Sequence, residues 1–143
     1  MKTVRQLLES KGHEVLSVTP DSIVYDALLV MAEKRVGALV VIDGSGHLAG
    51  IFSERDYARE VALKGKTSRT TKIQEVMSTT VITVTPDQLV DECMELMSGK
   101  RIRHLPVIEN EKVIGVLSIG DLVKETIAYQ QFLIKQLESY IQG

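Results

Sequence analysis

The 143-residue sequence has a single cysteine, no tryptophan and no long hydrophobic run. Because Cys93 has no second cysteine to pair with, an internal disulfide is excluded, which favours a reducing compartment. No apolar stretch reaches the roughly 18 residues of a membrane-spanning helix, and the N-terminus lacks an apolar signal-peptide core. We therefore expect a cytoplasmic protein that does not interact with membranes.

Neither sign of charge is in large excess, since 17 Lys and Arg residues stand against 19 Asp and Glu residues, for a net charge of −2. This balance gives no overall attraction to nucleic acid. The basic residues between 64 and 72 lack interleaved aromatic residues, so we do not expect a nucleic-acid partner. The apolar fraction of 44% is typical of a folded domain with a real core.

Patterns typical of enzymes are also missing. The three histidines, His13, His47 and His104, lie in unrelated predicted elements, and no His/Cys spacing suits a metal ion. There is no Walker-type phosphate loop and no nucleophile elbow. Cys93 lies within a helical pattern, where a buried small hydrophobic residue is the default interpretation. We expect no catalytic activity, no metal and no catalytic cofactor.

What the sequence does have is an internal repeat. The stretch 15–21 (VLSVTPD) returns at 81–87 (VITVTPD), and the correspondence continues as far as Asp56 and Asp121. A similar apolar lead-in precedes both copies. Two copies of one unit can pair about a pseudo-two-fold axis and form two related clefts, so the repeat directs the search for a site.

Each copy has the pattern strand, helix, strand, turn, strand, helix, which predicts an α/β fold. In the first copy the predicted elements are a strand at 16–18, a helix at 24–34, strands at 38–42 and 48–52, and a helix from 53 to about 63. In the second copy they are a strand at 83–84, a helix at 89–100, strands at 105–108 and 113–117, and a helix that begins at 118. Two units of this size are each marginal alone, so we expect them to share one core.

A Ser-x-x-Asp motif opens the last helix of each copy, at Ser53 and Asp56 and at Ser118 and Asp121. One interpretation is a capping box, in which the serine caps the helix and the acid returns a hydrogen bond. The other is that each helix N-terminus forms one wall of a cleft. Its backbone N–H groups attract an anion, and the carboxylate accepts hydrogen bonds from a vicinal diol such as that of a ribose. The two interpretations are compatible.

The two copies differ just before their central strands, where Arg103 and His104 replace Gly37 and Ala38. Guanidinium and imidazolium groups suit phosphate oxygens, so phosphate binding is one interpretation, and a solvated basic turn is the other. The small residues Ala27, Gly37 and Ala38 either let a flat ring approach the backbone or contribute to packing of the helix and strand. Arg55 adds a cation beside Asp56, which either faces the cleft or forms an ion pair with a glutamate on the surface.

The closing segment 122–141 carries apolar side chains at helical spacing, beyond what the repeat needs. This segment can lie back on its own domain or pack on a second subunit. The N-terminal stretch offers a further apolar surface. We favour a homodimer.

Together these features resemble a tandem pair of cystathionine β-synthase (CBS) domains, the Bateman module, and in particular its stand-alone bacterial members. The resemblance covers residues 1–127 and is carried by the segments 18–21, 37–41 and 50–56, 103–107 and 115–121. It implies two pseudo-symmetric β-α-β-β-α repeats that share one core, with clefts between the repeats. The expected boundaries are a first repeat with its lead-in helix over 1–63, a linker over 64–71, a second repeat over 72–127, and a helical extension over 128–143.

The resemblance further implies a regulatory, energy-sensing module that binds an adenine nucleotide and acts on an unknown protein target. AMP is the first expectation because its single phosphate matches the single Arg103-His104 pair, with NAD(H), ATP or ADP next; the family also binds S-adenosylmethionine. The alternative is a structural or protein-interaction module with empty clefts. The family's ligand-binding positions map onto Ser22, Ala27, Val36, Gly37, Ala38, Arg103, His104, Val116, Leu117, Ser118 and Asp121. A second, weaker cleft maps onto Gln88, Ile51, Phe52, Ser53, Arg55 and Asp56, where Gln88 and Cys93 are bulkier than the equivalent Ser22 and Ala27.

Overall fold

A computed structural model describes residues 2–142, which divide into two compact units. The first-repeat unit contains residues 14–82 and 110–113, and the second-repeat unit contains residues 2–13, 83–109 and 114–142. In chain order the elements are α1 (Val4–Lys11), β1 (Ser17–Val18), α2 (Val24–Lys34), β2 (Ala38–Ile42), β3 (Leu48–Ser53), α3 (Glu54–Asp56), a π-helical segment (Tyr57–Ala62), α4 (Ile73–Val76), α5 (Val90–Lys100), β4 (His104–Glu109), β5 (Lys112–Ser118) and α6 (Ile119–Gln142). The expected α/β fold class is confirmed. No helix in the described part of the chain is long and apolar enough to cross a membrane.

The first-repeat unit is organised by a three-stranded sheet. The strand β1 runs parallel to β2, and β2 runs antiparallel to β3, with Leu39 opposite Phe52. The helix α2 connects the two parallel strands and places Val24, Ala27 and Met31 on one face at helical spacing. This face packs against the sheet in a cluster of buried apolar side chains that includes Leu39, Val41, Phe52, Val61, Ile73 and Val76.

In the second copy of the repeat, β4 and β5 form the equivalent hairpin as a two-stranded sheet. The turn that joins them places Asn110 at φ 52° and Glu111 at φ 64°. Two consecutive residues with positive φ are typical of a type I′ turn, whose twist suits a tight hairpin. The predicted strand at 83–84 is reduced to a single parallel bridge between Val84 and Val107. This bridge is equivalent to the parallel pairing of β1 with β2.

Each lead-in helix packs in the unit of the other repeat. In the second-repeat unit the N–H of Val4 in α1 donates to the carbonyl of Gln88 (2.8 Å), and Thr3 bridges Leu89. In the first-repeat unit the N–H of Ile73 in α4 donates to the carbonyl of Ser22 (2.8 Å). The two lead-in helices therefore make equivalent contacts.

The helix predicted from 53 to about 63 changes its hydrogen-bonding pattern after three residues. It begins as α3 and continues as a π-helical segment. The N–H of Leu63 donates to the carbonyl of Ala58 (3.0 Å), and that of Lys66 donates to the carbonyl of Val61 (3.0 Å). The apolar spacing over six residues is too short to distinguish these wider turns from an α-helix. In the observed segment Val61 is buried.

The single cysteine lies in α5 and is fully buried, with no exposed surface. Burial, aided by the neighbouring Glu92 carboxylate, raises the pKa of the Cys93 thiol to about 11. A thiol with this pKa stays protonated at neutral pH, so it is a weak nucleophile. The interpretation of Cys93 as a buried small hydrophobic residue is confirmed.

Replacing Gly50 by alanine is expected to destabilise the protein by about 1–3 kcal/mol, because an added methyl group overpacks a site with no room for it. A Cβ atom at Gly50 in β3 would lie 2.7 Å from the carbonyl oxygen of Ser78 and 2.9 Å from the Sδ of Met77. That carbonyl is fixed because it accepts a hydrogen bond from the N–H of Ile51 (2.9 Å). Urea unfolding of Gly50→Ala measures the change.

The matched control for this prediction is Gly44→Ala, since a Cβ atom at Gly44 meets nothing within 4 Å. This exposed turn substitution should change the free energy of unfolding by less than about 0.5 kcal/mol. Equal stabilities of Gly50→Ala and the wild type would contradict the close approach of β3 to the Ser78 carbonyl.

Candidate functional site

The two Ser-x-x-Asp motifs form capping boxes. In the first-repeat unit the N–H of Asp56 donates to the Ser53 Oγ (3.2 Å), and the N–H of Ser53 donates to the Asp56 Oδ2 (2.9 Å). In the second-repeat unit the N–H of Asp121 donates to the Ser118 Oγ (3.2 Å), and the N–H of Ser118 donates to the Asp121 Oδ2 (2.8 Å). The capping interpretation is confirmed at both positions. Both carboxylates are held at the start of a helix, where they are half-buried.

The two carboxylates have different further partners. The Ser78 hydroxyl donates to the Oδ1 of Asp56 (2.8 Å), and the Ser53 hydroxyl donates to its Oδ2 (3.0 Å), so both oxygens are engaged. At Asp121 the further partner is a cation: the Lys11 Nζ lies 2.6 Å from Oδ2. The same ammonium group donates to the carbonyl of Val116. The Asp121 Oδ1 takes no part in the contacts with Ser118 and Lys11.

Lys11 is a residue that our sequence analysis did not assign to the site. It lies at the end of α1, which packs in the second-repeat unit. The internal alignment of the lead-ins places Lys11 opposite Thr80, so only one copy has a cation there. This difference between the copies was a signal, but the sequence does not show that α1 ends beside β5 and the start of α6.

The pKa of the Asp121 carboxyl lies below its usual range despite its burial. Burial alone would raise this pKa, but the hydrogen bond and charge of Lys11 and the hydrogen bonds from Ser118 outweigh it. The carboxylate is therefore ionised at neutral pH, and both of its charge-stabilising partners come from its own unit.

The residues before the central strands are tied to the same helix starts. The N–H of Ile119 donates to the carbonyl of Arg103 (2.8 Å), and in the first-repeat unit the N–H of Glu54 donates to the carbonyl of Gly37 (3.0 Å). The carbonyl of Arg103 is therefore hydrogen-bonded directly to the first residue of α6. The Arg103 side chain is exposed. His104 follows at the start of β4 and is half-buried.

Ser22 and Gln88 occupy equivalent turns, where their side chains hydrogen-bond locally. The Ser22 Oγ accepts from the N–H of Thr19 (3.0 Å), and the Gln88 Oε1 accepts from the N–H of Thr85 (2.9 Å). Both side chains close the turn that follows the Thr-Pro dipeptide. Their observed contacts are structural, and their contact with a ligand stays a prediction.

Several predicted lining residues lie in the core. Ala27, Phe52 and Leu117 have no exposed surface. All three side chains pack in the core, and their contact with a ligand stays a prediction. The remaining predicted residues of the first-repeat unit, which are half-buried except for the exposed Arg55, are Val36, Gly37, Ala38, Ile51, Ser53, Arg55 and Asp56.

Metal binding has no support in the described residues. No group of three or more His, Cys, Asp or Glu side chains between residues 2 and 142 is placed to hold a metal ion.

The CBS domain family model matches residues 4–63 and 73–127, which are the two copies of the repeat. The chain belongs to the CBS domain family. Each copy supplies one CBS domain, with its lead-in helix included in the match. The resemblance that the repeat motifs carried is thereby confirmed.

Relatives of this CBS protein cover nearly all of its length. The Arabidopsis thaliana CBS domain-containing protein CBSX3, mitochondrial, is 40% identical over an alignment of 149 positions that covers 99% of this chain and 72% of the relative. The chain spans 25% and 24% of two longer Arabidopsis relatives. A solved structure of a protein with CBS domains from Burkholderia ambifaria MC40-6 is 49% identical, with a TM-score of 0.84 over 89% of this chain and 95% of the other.

A more distant structure shares the fold. The CBS domain pair of protein MJ0100, solved in complex with 5′-methylthioadenosine and S-adenosyl-L-methionine, is 23% identical with a TM-score of 0.79. It covers 90% of this chain and 98% of its own. At this identity the comparison establishes the architecture of the CBS pair.

Replacing Lys11 by methionine is expected to raise the pKa of Asp121 and to destabilise the folded protein by about 1 kcal/mol at pH 7. The pKa of Asp121 is lower in the folded protein than in the unfolded chain, so the ionised carboxylate stabilises the fold at pH values above the unfolded pKa. This stabilisation is lost as the pH falls through the pKa of Asp121 in the folded protein. The difference between variant and wild type should therefore disappear in acid. Urea unfolding at pH 7 and at about pH 2.5 measures both values.

Lys64→Met is the control, because Lys64 forms an ion pair with Glu60 (2.5 Å) in which both side chains are exposed. Its loss should cost less than about 0.5 kcal/mol. A Lys11→Met variant no less stable than Lys64→Met at pH 7 would show that the Lys11–Asp121 contact contributes nothing specific.

Proposed function

We propose that the protein is a non-catalytic regulatory module that binds an adenine nucleotide, with AMP preferred over NAD(H), ATP and ADP. The observation that carries this proposal is the arrangement in the second-repeat unit. An ionised Asp121 lies at the N-terminus of a long helix, and the backbone of Arg103 is hydrogen-bonded to the first residue of that helix.

The Asp121 carboxylate suits the ribose. Its Oδ2 is held by Ser118 and Lys11, which fixes the orientation of the group. A carboxylate has about four acceptor positions, so its Oδ1 has capacity to accept both hydroxyls of a vicinal diol. Lys11 limits the desolvation cost of this charge when a ligand covers it.

The phosphate would be bound by cationic and N–H groups of the same unit. The helix α6 is 24 residues long, and the first turn of a helix favours an anion. The Arg103 guanidinium provides a bidentate donor for phosphate oxygens, and His104 adds a further polar group. One such pair fits one phosphate, which supports AMP as the first choice.

The Asp56 position is the weaker candidate for a second ligand. Both oxygens of this carboxylate accept hydrogen bonds from serine hydroxyls, so a ribose would have to displace Ser78. Gly37 and Ala38 provide no charge for a phosphate, which leaves Arg55 as the nearest cation in the sequence. The contributions of Val36, Gly37 and Ala38 to adenine binding are likewise a proposal.

The ligands of a related protein support an adenosine compound. The CBS pair of MJ0100 was crystallised with two molecules that both contain adenosine. Its two ligands carry no phosphate, so they support the adenosine moiety and leave the phosphate to be tested. We further propose that binding changes the activity of a partner protein in the cytoplasm, through unequal affinity for two states of the module.

A thermal-shift panel with AMP, ADP, ATP, NAD⁺, NADH and S-adenosylmethionine tests the proposal. A ligand at 100 times its dissociation constant adds about 2.7 kcal/mol, which is several degrees for a chain of this size. We expect the largest shift with AMP, and guanosine monophosphate should give none. The protein is first unfolded and refolded to remove any nucleotide carried through purification. The absence of a shift with every compound would favour a structural or protein-interaction module.

A further inference from the structure

Lys11 is held beside Asp121 by two acceptors and by the packing of its own helix. Its ammonium group lies 2.6 Å from the Asp121 Oδ2 in α6 and donates to the carbonyl of Val116 in β5. The helix α1 is close to β5, since a Cβ atom at Gly115 would lie 2.6 Å from the Cδ2 of the fully buried Leu8. The positive charge of Lys11 therefore has a defined position next to the carboxylate that we propose binds the ribose.

The ion pair changes the charge that a ligand meets at the start of α6. The charges of the ammonium group and the carboxylate cancel, and the exposed Arg103 side chain, whose carbonyl is bonded to the first residue of α6, adds a positive charge. In the first copy of the repeat the positions of Lys11 and Arg103 are occupied by Thr80 and Gly37, which carry no charge. This arrangement of charges therefore belongs to one copy only.

We propose that Lys11 makes this site selective for adenosine compounds with a negative charge at the 5′ position, and against those with a positive charge there. The inference rests on the proposed nucleotide site and names the class of ligand that it accepts. AMP carries a 5′-phosphate, 5′-methylthioadenosine carries a neutral thioether, and S-adenosylmethionine carries a sulfonium cation. The CBS pair of MJ0100 was crystallised with the second and third of these compounds.

The selectivity follows from the charge that remains when Lys11 is removed. Without the ammonium group the Asp121 carboxylate is left with its full negative charge, which repels a phosphate and attracts a sulfonium. A ribose whose hydroxyls bond to Asp121 brings its 5′ group within about one Debye length of Lys11, roughly 8 Å in physiological salt, so screening is incomplete. The effect on affinity therefore has opposite signs for AMP and S-adenosylmethionine.

Isothermal titration calorimetry of the wild type and Lys11→Met with the three compounds tests the proposal. The wild type should bind AMP more tightly than S-adenosylmethionine. In Lys11→Met we expect AMP to bind about tenfold more weakly, S-adenosylmethionine about threefold more tightly, and 5′-methylthioadenosine to change by less than about threefold. Far-UV circular dichroism checks that the variant folds.

Two further variants control for the position and the number of charges. Lys11→Arg keeps the positive charge and should keep the order of the three affinities. Lys64→Met removes one positive charge from the exposed ion pair with Glu60 in the other unit, and should change each Kd by less than about twofold.

The same measurements separate this proposal from the nucleotide site on which it rests. An equal loss of affinity for all three compounds in Lys11→Met would overturn the proposal, because Lys11 would then act only by orienting Asp121, and the nucleotide site would stand. A wild type that binds S-adenosylmethionine as tightly as AMP would also overturn it. A wild type that binds none of the three compounds would overturn the nucleotide site and this proposal together.

Discussion

Replacing Asp121 by alanine should weaken adenine-nucleotide binding by about 3 kcal/mol, or roughly a hundredfold in Kd. The variant removes the carboxylate that we propose accepts both ribose hydroxyls, each as a charge-assisted hydrogen bond. It also leaves the Lys11 ammonium without its carboxylate partner at 2.6 Å. Isothermal titration calorimetry with AMP measures the change in Kd.

Two further variants separate binding from folding. Asp121→Asn keeps an oxygen that can accept from the N–H of Ser118, so it preserves much of the cap while removing the charge. It should bind about tenfold more weakly than the wild type, between the wild type and Asp121→Ala. Asp56→Ala, which removes the equivalent cap in the other repeat, should change the strongest Kd by less than about threefold. Equal losses at Asp56 and Asp121 would contradict the assignment of the main site to the second-repeat unit.

Replacing Phe52 by alanine should destabilise the fold by about 3–5 kcal/mol, a large share of the roughly 5–15 kcal/mol that holds a domain together. Phe52 lies in β3 opposite Leu39, has no exposed surface and belongs to the buried cluster of the first-repeat unit. The truncation removes apolar burial and leaves a cavity beside α2. Urea unfolding followed by circular dichroism measures the loss.

The sequence supplies its own control for this prediction, because Phe132 is the other of two phenylalanines and is 55% exposed. Phe132→Ala should change stability by less than about 0.5 kcal/mol. If Phe52→Ala were as stable as Phe132→Ala, then the cluster around α2 and β3 would not be the core of this unit.

The predictable part of the structure comes from the repeat. Apolar periodicity gave the central helices, and the observed bounds of α2 and β2 match the predicted 24–34 and 38–42. The capping boxes were predicted because a serine and an acidic residue three positions apart can accept hydrogen bonds from backbone N–H groups that a helix start leaves unsatisfied. Local interactions of this kind are visible in the sequence.

Non-local contacts were not predictable to the same extent. The interaction of Lys11 with Asp121 depends on α1 packing in the unit of the other repeat, which no short-range pattern encodes. The π-helical segment was not predicted, because a stretch of six residues is too short for apolar spacing to separate a π pattern from an α pattern. The burial of Ala27 and Leu117 shows why mapped family positions need a structure: a motif gives the position, and packing decides whether its side chain is accessible.

The most direct test of the proposed site is an NMR titration of ¹⁵N-labelled protein with AMP. The account predicts that the largest amide shift changes fall on Arg103, Ser118 and Asp121, with a response at Lys11 because its ammonium group contacts Asp121. The same titration with guanosine monophosphate should leave these amides unchanged. Saturating AMP that shifts no amide in this group, or that shifts only residues of another region, would contradict nucleotide binding at the start of α6.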